Sequence, residues 1–259
     1  MKILILGCGW VGEEFAQKMA QEGAELWVTT TSSDDKAARL EKLGYHVQCV
    51  DFDCEPDILA LPTSFDYVLT SIPATSRHSV EVLSKRFVRV RALIDALTYR
   101  KHIFLSSVGI YPDQNGVFDE RYTVELNDRL HDAEQIMQAS PNTVIYRLGG
   151  LFGKNRVFAR YFANKICTTG DQLANFVHVD DVVQLIYLGF HDLYETGIYN
   201  VVCPLHPRKK DVILASALKY HCDMPSQFEP KDNFQKKVVS DKIIGALNYR
   251  FKFASPLDF

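Results

Sequence analysis

Gly7-Cys8-Gly9-Trp10-Val11-Gly12 follows the unbroken apolar run Ile3–Leu6 and opens a segment in which Val11, Phe15 and Met19 recur at every fourth position. A GxGxxG run between a strand and a helix is built to receive a pyrophosphate. Gly7 permits the tight turn, Gly9 lets the phosphates reach the backbone, and Gly12 lets helix and strand pack closely. The helix N-terminus, which carries Trp10 and Val11, attracts the negative charge. The end of the next strand distinguishes the two nicotinamide dinucleotides. An acid there would bind the ribose 2′-hydroxyl of NAD and repel the 2′-phosphate of NADP. This chain has Thr29-Thr30-Thr31-Ser32-Ser33 instead, with Lys36 and Arg39 close behind. Hydroxyls donate to a phosphate, so Thr30 enters the candidate site and NADP is expected over NAD. Asp34 and Asp35 fit better as caps of the following helix.

Such a turn needs a wound sheet to hold it. Strand signals at Ile3–Leu6, Leu26–Thr29, His46–Val50, Tyr67–Thr70, His102–Leu105 and Thr143–Tyr146 alternate with helical stretches. Asp35–Leu43 is one of these; in another, Leu83, Phe87, Val90, Ile94 and Leu97 form a single apolar stripe. Apolar strands separated by helices imply an α/β, doubly wound parallel-sheet Rossmann fold with right-handed crossovers. After Gly150 the pattern loosens. Arg156–Cys167, Val179–His191 and Arg208–Tyr220 read as helices, and Ile198–Val202 as a strand. The expected division is a dinucleotide-binding domain over 1–153, to which 176–202 return, and a small substrate-capping lobe over 154–259.

Composition narrows the partners. The 259 residues are 47% hydrophobic and 24% charged with a net charge of −3, a balance that suits a globular chain and attracts neither nucleic acid nor an anionic membrane. The basic runs Arg208-Lys209-Lys210 and Lys236-Lys237 are short and read as solvated faces. The cysteines at 8, 49, 54, 167, 203 and 222 make no CxxC pair and no metal-ligand spacing, so reduced thiols serving as small apolar residues are expected. The apolar start is too short for a signal peptide, and Gly7, Gly9 and Gly12 interrupt it. A cytoplasmic protein acting on a small molecule is the expectation.

Further runs add a resemblance. With the glycine turn, Ser106-Ser107-Val108-Gly109-Ile110-Tyr111, Arg147-Leu148-Gly149-Gly150-Leu151-Phe152-Gly153 and Asn175-Phe176-Val177-His178-Val179-Asp180-Asp181 make nearly the whole chain resemble the extended short-chain dehydrogenase/reductase superfamily. Within it the chain is similar to the NAD-dependent epimerase/dehydratase group and its atypical, YeeZ-like branch. The resemblance implies that Asp51 and Phe52 meet the adenine, that Ser71, Ile72, Pro73 and Ser106 line the cofactor, and that Ser107 takes the place of the catalytic serine. Family enzymes also carry a Tyr-x-x-x-Lys pair on the following helix, whose lysine lowers the tyrosine pKa for proton transfer. With Glu134 as the anchor, those two positions hold Leu126 and Leu130. Tyr161 and Lys165 match the spacing by chance, and Tyr111 is the candidate substitute acid. Arg147 and Arg156 would hold a substrate phosphate or carboxylate, with His178 beside them. Two readings follow: an NAD(P)-dependent oxidoreductase or epimerase on a nucleotide-sugar-like or carbonyl substrate with an altered proton path, or a non-catalytic NAD(P)-binding redox sensor or scaffold.

Overall fold

The structure is a computed structural model that describes residues 1–31, 34–54, 60–74, 78–192 and 195–259. Ser32 and Ser33 of the hydroxyl-rich segment lie outside the described residues. In chain order the elements begin β1 (Lys2–Leu6), α1 (Trp10–Gln21), β2 (Glu25–Thr30), α2 (Asp34–Lys42), β3 (His46–Cys49), β4 (Tyr67–Thr70), α3 (Val80–Asp95) and β5 (Lys101–Ser107). They continue with β6 (Gly116–Phe118), α4 (Asp128–Gln138), β7 (Thr143–Leu148), β8 (Gly150–Phe152), α5 (Phe158–Phe162), β9 (Ile166–Cys167), β10 (Phe176–His178) and α6 (Val179–His191). The last are β11 (Gly197–Val201), α7 (Lys209–Tyr220), β12 (Gln227–Phe228), β13 (Lys236–Val238) and α8 (Asp241–Leu247).

The central sheet runs β11-β7-β5-β4-β1-β2-β3. Around β1 the pairing is parallel, with Ile3 opposite both Leu26 and Tyr67, and Ile5 opposite both Val28 and Leu69. Four consecutive residues of β1 are fully buried, which is why its sequence is apolar without alternation. The order reverses at β1: the chain moves to β2 and β3 on one side, then returns to β4 and β5 on the other. That switch opens a crevice beyond the carboxyl ends of the strands, where ligands of such sheets bind.

The chain divides into two compact units. The first comprises residues 1–106, 126–146 and 186–198. Its core packs Leu4, Leu6, Val68 and Phe104 of the strands against Leu83, Phe87, Val90 and Ile94 of α3, the stripe read from the sequence. α3 starts where Ser79 accepts a hydrogen bond from the Val82 amide, an N-cap. On the other face Phe190 packs against Phe15 at 5.8 Å and stacks on Tyr67 at 4.7 Å.

The second unit comprises 107–125, 147–185 and 199–259. Short parallel pairs knit it together: β8 with β10, β9 with β12, and β6 with β13. Here one expectation fails. The helix expected over Arg156–Cys167 is α5 alone, five residues long. Ala163 leaves it with φ −51 and ψ 125, and Asn164 turns to φ 60. Ile166 and Cys167 then pair with Gln227 and Phe228. A distant strand partner outweighs the local helical spacing. Among the described residues no helix is long and apolar enough to cross a membrane.

Candidate functional site

The crevice at the switch point is a cleft of about 460 Å³, contained in the first unit. Gly7 and Gly9 form one wall, Thr30 and Thr31 at the end of β2 another, and Asp51 with Phe52 after β3 a third. Ser71, Ile72 and Pro73 close it beyond β4. The first-turn residues Trp10, Val11 and Gly12 do not line it, and neither does Ser106. Val11 is buried, and Ser106 donates its hydroxyl to Glu134 Oε1 at 2.5 Å inside the fold.

The three glycines of the turn answer different demands. Gly7 has φ +77, and a Cβ there would meet the Ile72 backbone nitrogen at 3.0 Å and its Cγ1 at 2.7 Å. Folding alone requires that glycine. A Cβ on Gly12 would press on Gly7 O and Ile5 Cγ2, each at 3.2 Å. Gly9 is unlike both: its φ of −84 is ordinary, and the nearest atom to an added Cβ is Gly7 O at 3.9 Å. Among the described residues nothing needs Gly9 to be glycine, while the helix N-cap position it occupies faces the cleft.

The turn is fastened from β2. The Gly7 amide donates to Thr29 Oγ1 at 2.9 Å and the Cys8 amide to Thr29 O at 2.7 Å. One hydroxyl of the Thr29–Ser33 segment is thus spent on the fold; Thr30 is buried as well, and Thr31 is exposed. Lys36 reaches the same wall, donating to Cys8 O at 2.5 Å and pairing with Glu13 at 2.9 Å. Burial pushes the Cys8 thiol up to about 12, so it stays protonated. On the opposite wall Arg86 holds Asp53 through two hydrogen bonds of 2.7 and 2.6 Å and keeps that carboxyl below its usual range. Lys36, Asp53, His78 and Arg86 are lining residues that the glycine motif by itself does not reveal.

A second pocket, of about 270 Å³, lies within the second unit. Ser107 lines it together with Asp113, Gln172, Asn175, Lys209 and Lys236. The expected substrate residues Arg147, Arg156 and His178 are not among its lining. Arg147 is 2% exposed and donates to the Tyr111 hydroxyl at 2.9 Å. His178 stacks on Phe253 with ring centroids 3.6 Å apart, accepts the Asp180 amide at Nδ1, and is held below its usual pKa chiefly by burial. Arg156 is exposed, and its backbone bonds to Gly153.

The Tyr111 hydroxyl is committed inside the fold. The residue is 1% exposed, its hydroxyl lies 2.8 Å from Asn200 Oδ1 and 3.0 Å from Asp119 O, and burial raises its pKa. Leu126 precedes the Asn127 cap of α4, and Leu130 is buried on that helix, so neither position offers a proton. Tyr161 and Lys165 do not act as a pair either, because the Lys165 ammonium donates to the Tyr161 carbonyl and not to its phenol.

The reading of the basic runs as solvated faces needs correcting, because each run sends one lysine inward. Lys236 is 9% exposed and donates to Tyr111 O at 2.6 Å and Asp113 Oδ1 at 3.0 Å. Lys209 is half-buried and donates to Gln172 Oε1 at 2.6 Å; burial lowers its pKa, with Lys236 adding to the effect and Asp113 opposing it. The alternation of β13, with Lys236 and Val238 inward and Lys237 between them, was the available signal.

Comparisons with known proteins agree with this architecture. Protein YeeZ of Escherichia coli K12 is 28% identical, over 99% of this chain and 97% of that protein. Two solved structures share the fold. Human epimerase family protein SDR39U1 (isoform 2), solved with NADPH, superposes with TM-score 0.76 at 15% identity, covering 100% of this chain and 97% of that one. UDP-glucuronic acid 4-epimerase of Bacillus cereus, solved with UDP-glucuronic acid and NAD, gives TM-score 0.77 at 15% identity, covering 100% and 96%. The model of the NAD dependent epimerase/dehydratase family matches residues 3–201, and the chain belongs to that family.

Proposed function

We propose that the chain binds a nicotinamide dinucleotide, NADP in preference to NAD, in the switch-point cleft, and that it acts as an oxidoreductase or epimerase on a carbonyl or nucleotide-sugar-like substrate. The observation that carries this is Gly9, a glycine the fold does not need, whose open side faces the cleft at a helix N-cap. A residue kept without a side chain at a helix N-cap beside a cleft is what a pyrophosphate requires. Gly7, Cys8 and Gly9 would hold the phosphates at the N-terminus of α1. Thr31 and Lys36 would meet the adenosine ribose, Asp51 and Phe52 the adenine, and Ser71 to Pro73 the wall beyond. When bound, the dinucleotide supplies hydride exchange. The second unit, with Ser107 in its pocket, serves the substrate. With leucines at positions 126 and 130 and Tyr111 sealed in the core, the Ser107 hydroxyl is one group in that pocket that could handle a proton.

The test uses Gly9→Asp. Aspartate is among the best N-cap residues, so the melting temperature should hold or rise. Its carboxylate would occupy and repel the pyrophosphate position, and titrated NADPH fluorescence should show no saturable binding. Wild-type affinity in that variant sinks the cofactor reading. The leucines at 126 and 130 favour a second reading, a sensor that binds the dinucleotide without turnover. NADPH binding combined with silence across a carbonyl and nucleotide-sugar screen would select it.

A further inference from the structure

The pocket of the second unit is rich in donors and poor in acceptors. Its charged lining groups among the described residues are two ammoniums, Lys209 and Lys236, and one carboxylate, Asp113. The side chain of Asp113 is 75% exposed, so water weakens its hold, whereas that of Lys236 is only 11% exposed. The partner of Lys209 is the neutral amide of Gln172. An ammonium has three N–H donors. Among the described residues Lys209 uses one of them and Lys236 two, so three donors of the pair have no protein acceptor. Ser107 Oγ accepts the Gly109 amide at 3.0 Å, and its own proton remains to be given. Asn175 adds nothing to this set, because its amide is clamped to β13, donating to Lys236 O at 2.8 Å and accepting from Val238 N at 2.9 Å. It is a strut.

Half-buried ammoniums are costly without an anion. A carboxylate or phosphate only accepts, and it forms the strong charge-assisted bonds that such donors seek. We infer that the Lys209–Lys236 pocket receives the oxyanion group, carboxylate or phosphate, of a small substrate beside Ser107. The inference deepens the proposed function by assigning its substrate a negative charge at this pocket. The pocket also limits size: about 270 Å³ lies just below the ~300–1,000 Å³ range of sites that enclose drug-sized ligands. An oxyanion with a short carbonyl-bearing tail fits that space. The lowered pKa of Lys209 agrees, since a neighbouring ammonium and burial both press on its charge, and a bound anion would relieve both.

The experiment is calorimetry on the full chain with sodium pyruvate, inorganic phosphate and the uncharged analogue pyruvamide, run on the wild type, Lys209→Gln and Asp113→Asn. Pyruvate or phosphate should bind saturably and pyruvamide should not; the tighter of the two probes tells which oxyanion the pocket takes. Lys209→Gln should weaken binding about tenfold or more, and Asp113→Asn should tighten it severalfold, because they move the local charge in opposite directions. Lys209 is half-buried and Asp113 exposed, and thermal melts of each variant check the fold. Binding of pyruvamide as tight as pyruvate, absence of saturable oxyanion binding, or affinities indifferent to both substitutions would overturn the inference. NADPH titrated into the same samples reads the other cleft. Intact NADPH binding without oxyanion binding defeats this inference alone, and the converse defeats the cofactor reading alone.

Discussion

Thr31 is the exposed residue that follows β2, and it lines the cleft where an acid would select NAD. Thr31→Asp should therefore weaken NADPH by about tenfold or more while sparing NADH, since like charges repel and the acid offers a partner to a free 2′-hydroxyl. Calorimetry with both dinucleotides checks it; a wild type that already favours NADH ends the NADP preference. Tyr111 invites the opposite kind of prediction. Removing its hydroxyl with Tyr111→Phe takes an acceptor from Arg147 and a donor from Asn200, both buried. Chemical denaturation should show a loss of about 1–3 kcal/mol, with turnover per folded molecule unchanged. From sequence, Tyr111 looked chemical because it stands four residues after Ser107, and Lys209 and Lys236 looked inert because they stand in charged runs. In both cases the deciding fact was which way a side chain points. That depends on strand parity and on distant partners such as Asn200, which spacing along the chain does not encode.

Elements were more legible than side chains. β4 and α6 have the bounds their sequence pattern implies, because continuous apolar runs and four-residue periodicity report burial directly. β9, β12 and β13 escaped notice: strands of two or three residues have no periodicity to read, and their partners lie far away. One device links three strands of the main sheet. His102 on β5, with no exposed surface, bonds Thr70 of β4 through Nε2 and Thr143 of β7 through Nδ1, each at 2.9 Å. Burial drives its pKa from 6.5 down to about 3, so the ring is neutral in the fold. The unfolded chain takes up the proton below about pH 6.5, and the folded chain does not until about pH 3. The stability that His102 gives is thus complete above pH 6.5 and drains away as pH falls from there toward 3. His206, lowered to about 4 chiefly by burial, acts with the same sign. The melting temperature should decline between pH 7 and pH 4.5, and His102→Gln should flatten that decline; an unchanged slope would show that the ring titrates normally.

Across the whole molecule, each unit is assembled from three separate stretches of chain. In the second unit, Asp181 fastens residues far along the sequence. This fully buried carboxylate of α6 accepts the Tyr249 hydroxyl at 2.6 Å and the amides of Lys252 and Phe253 at 2.7 and 3.1 Å. Asp181→Ala should free that segment, costing about 2–4 kcal/mol and letting trypsin cut the loosened backbone after Arg250 and Lys252. Limited proteolysis followed by mass measurement reads the cut, and an unchanged fragment pattern counts against the fastening role. The β6–β13 pair carries a consequence in time. Gly116 lies opposite Lys236 and Phe118 opposite Val238, so the ladder closes a very long loop. During synthesis the β1–β5 stretch can wind as it emerges, whereas β6 has no strand to meet until residues near 236 have left the ribosome, at ~5–20 residues per second. For those seconds Val117 and its neighbours form an open parallel edge, the slowest kind of pairing to complete and the one most open to a wrong partner. The β1–β5 stretch of the first unit is therefore a nascent chain's early product, and the pocket of the second unit, whose Lys236 sits on the closing strand, is among its last.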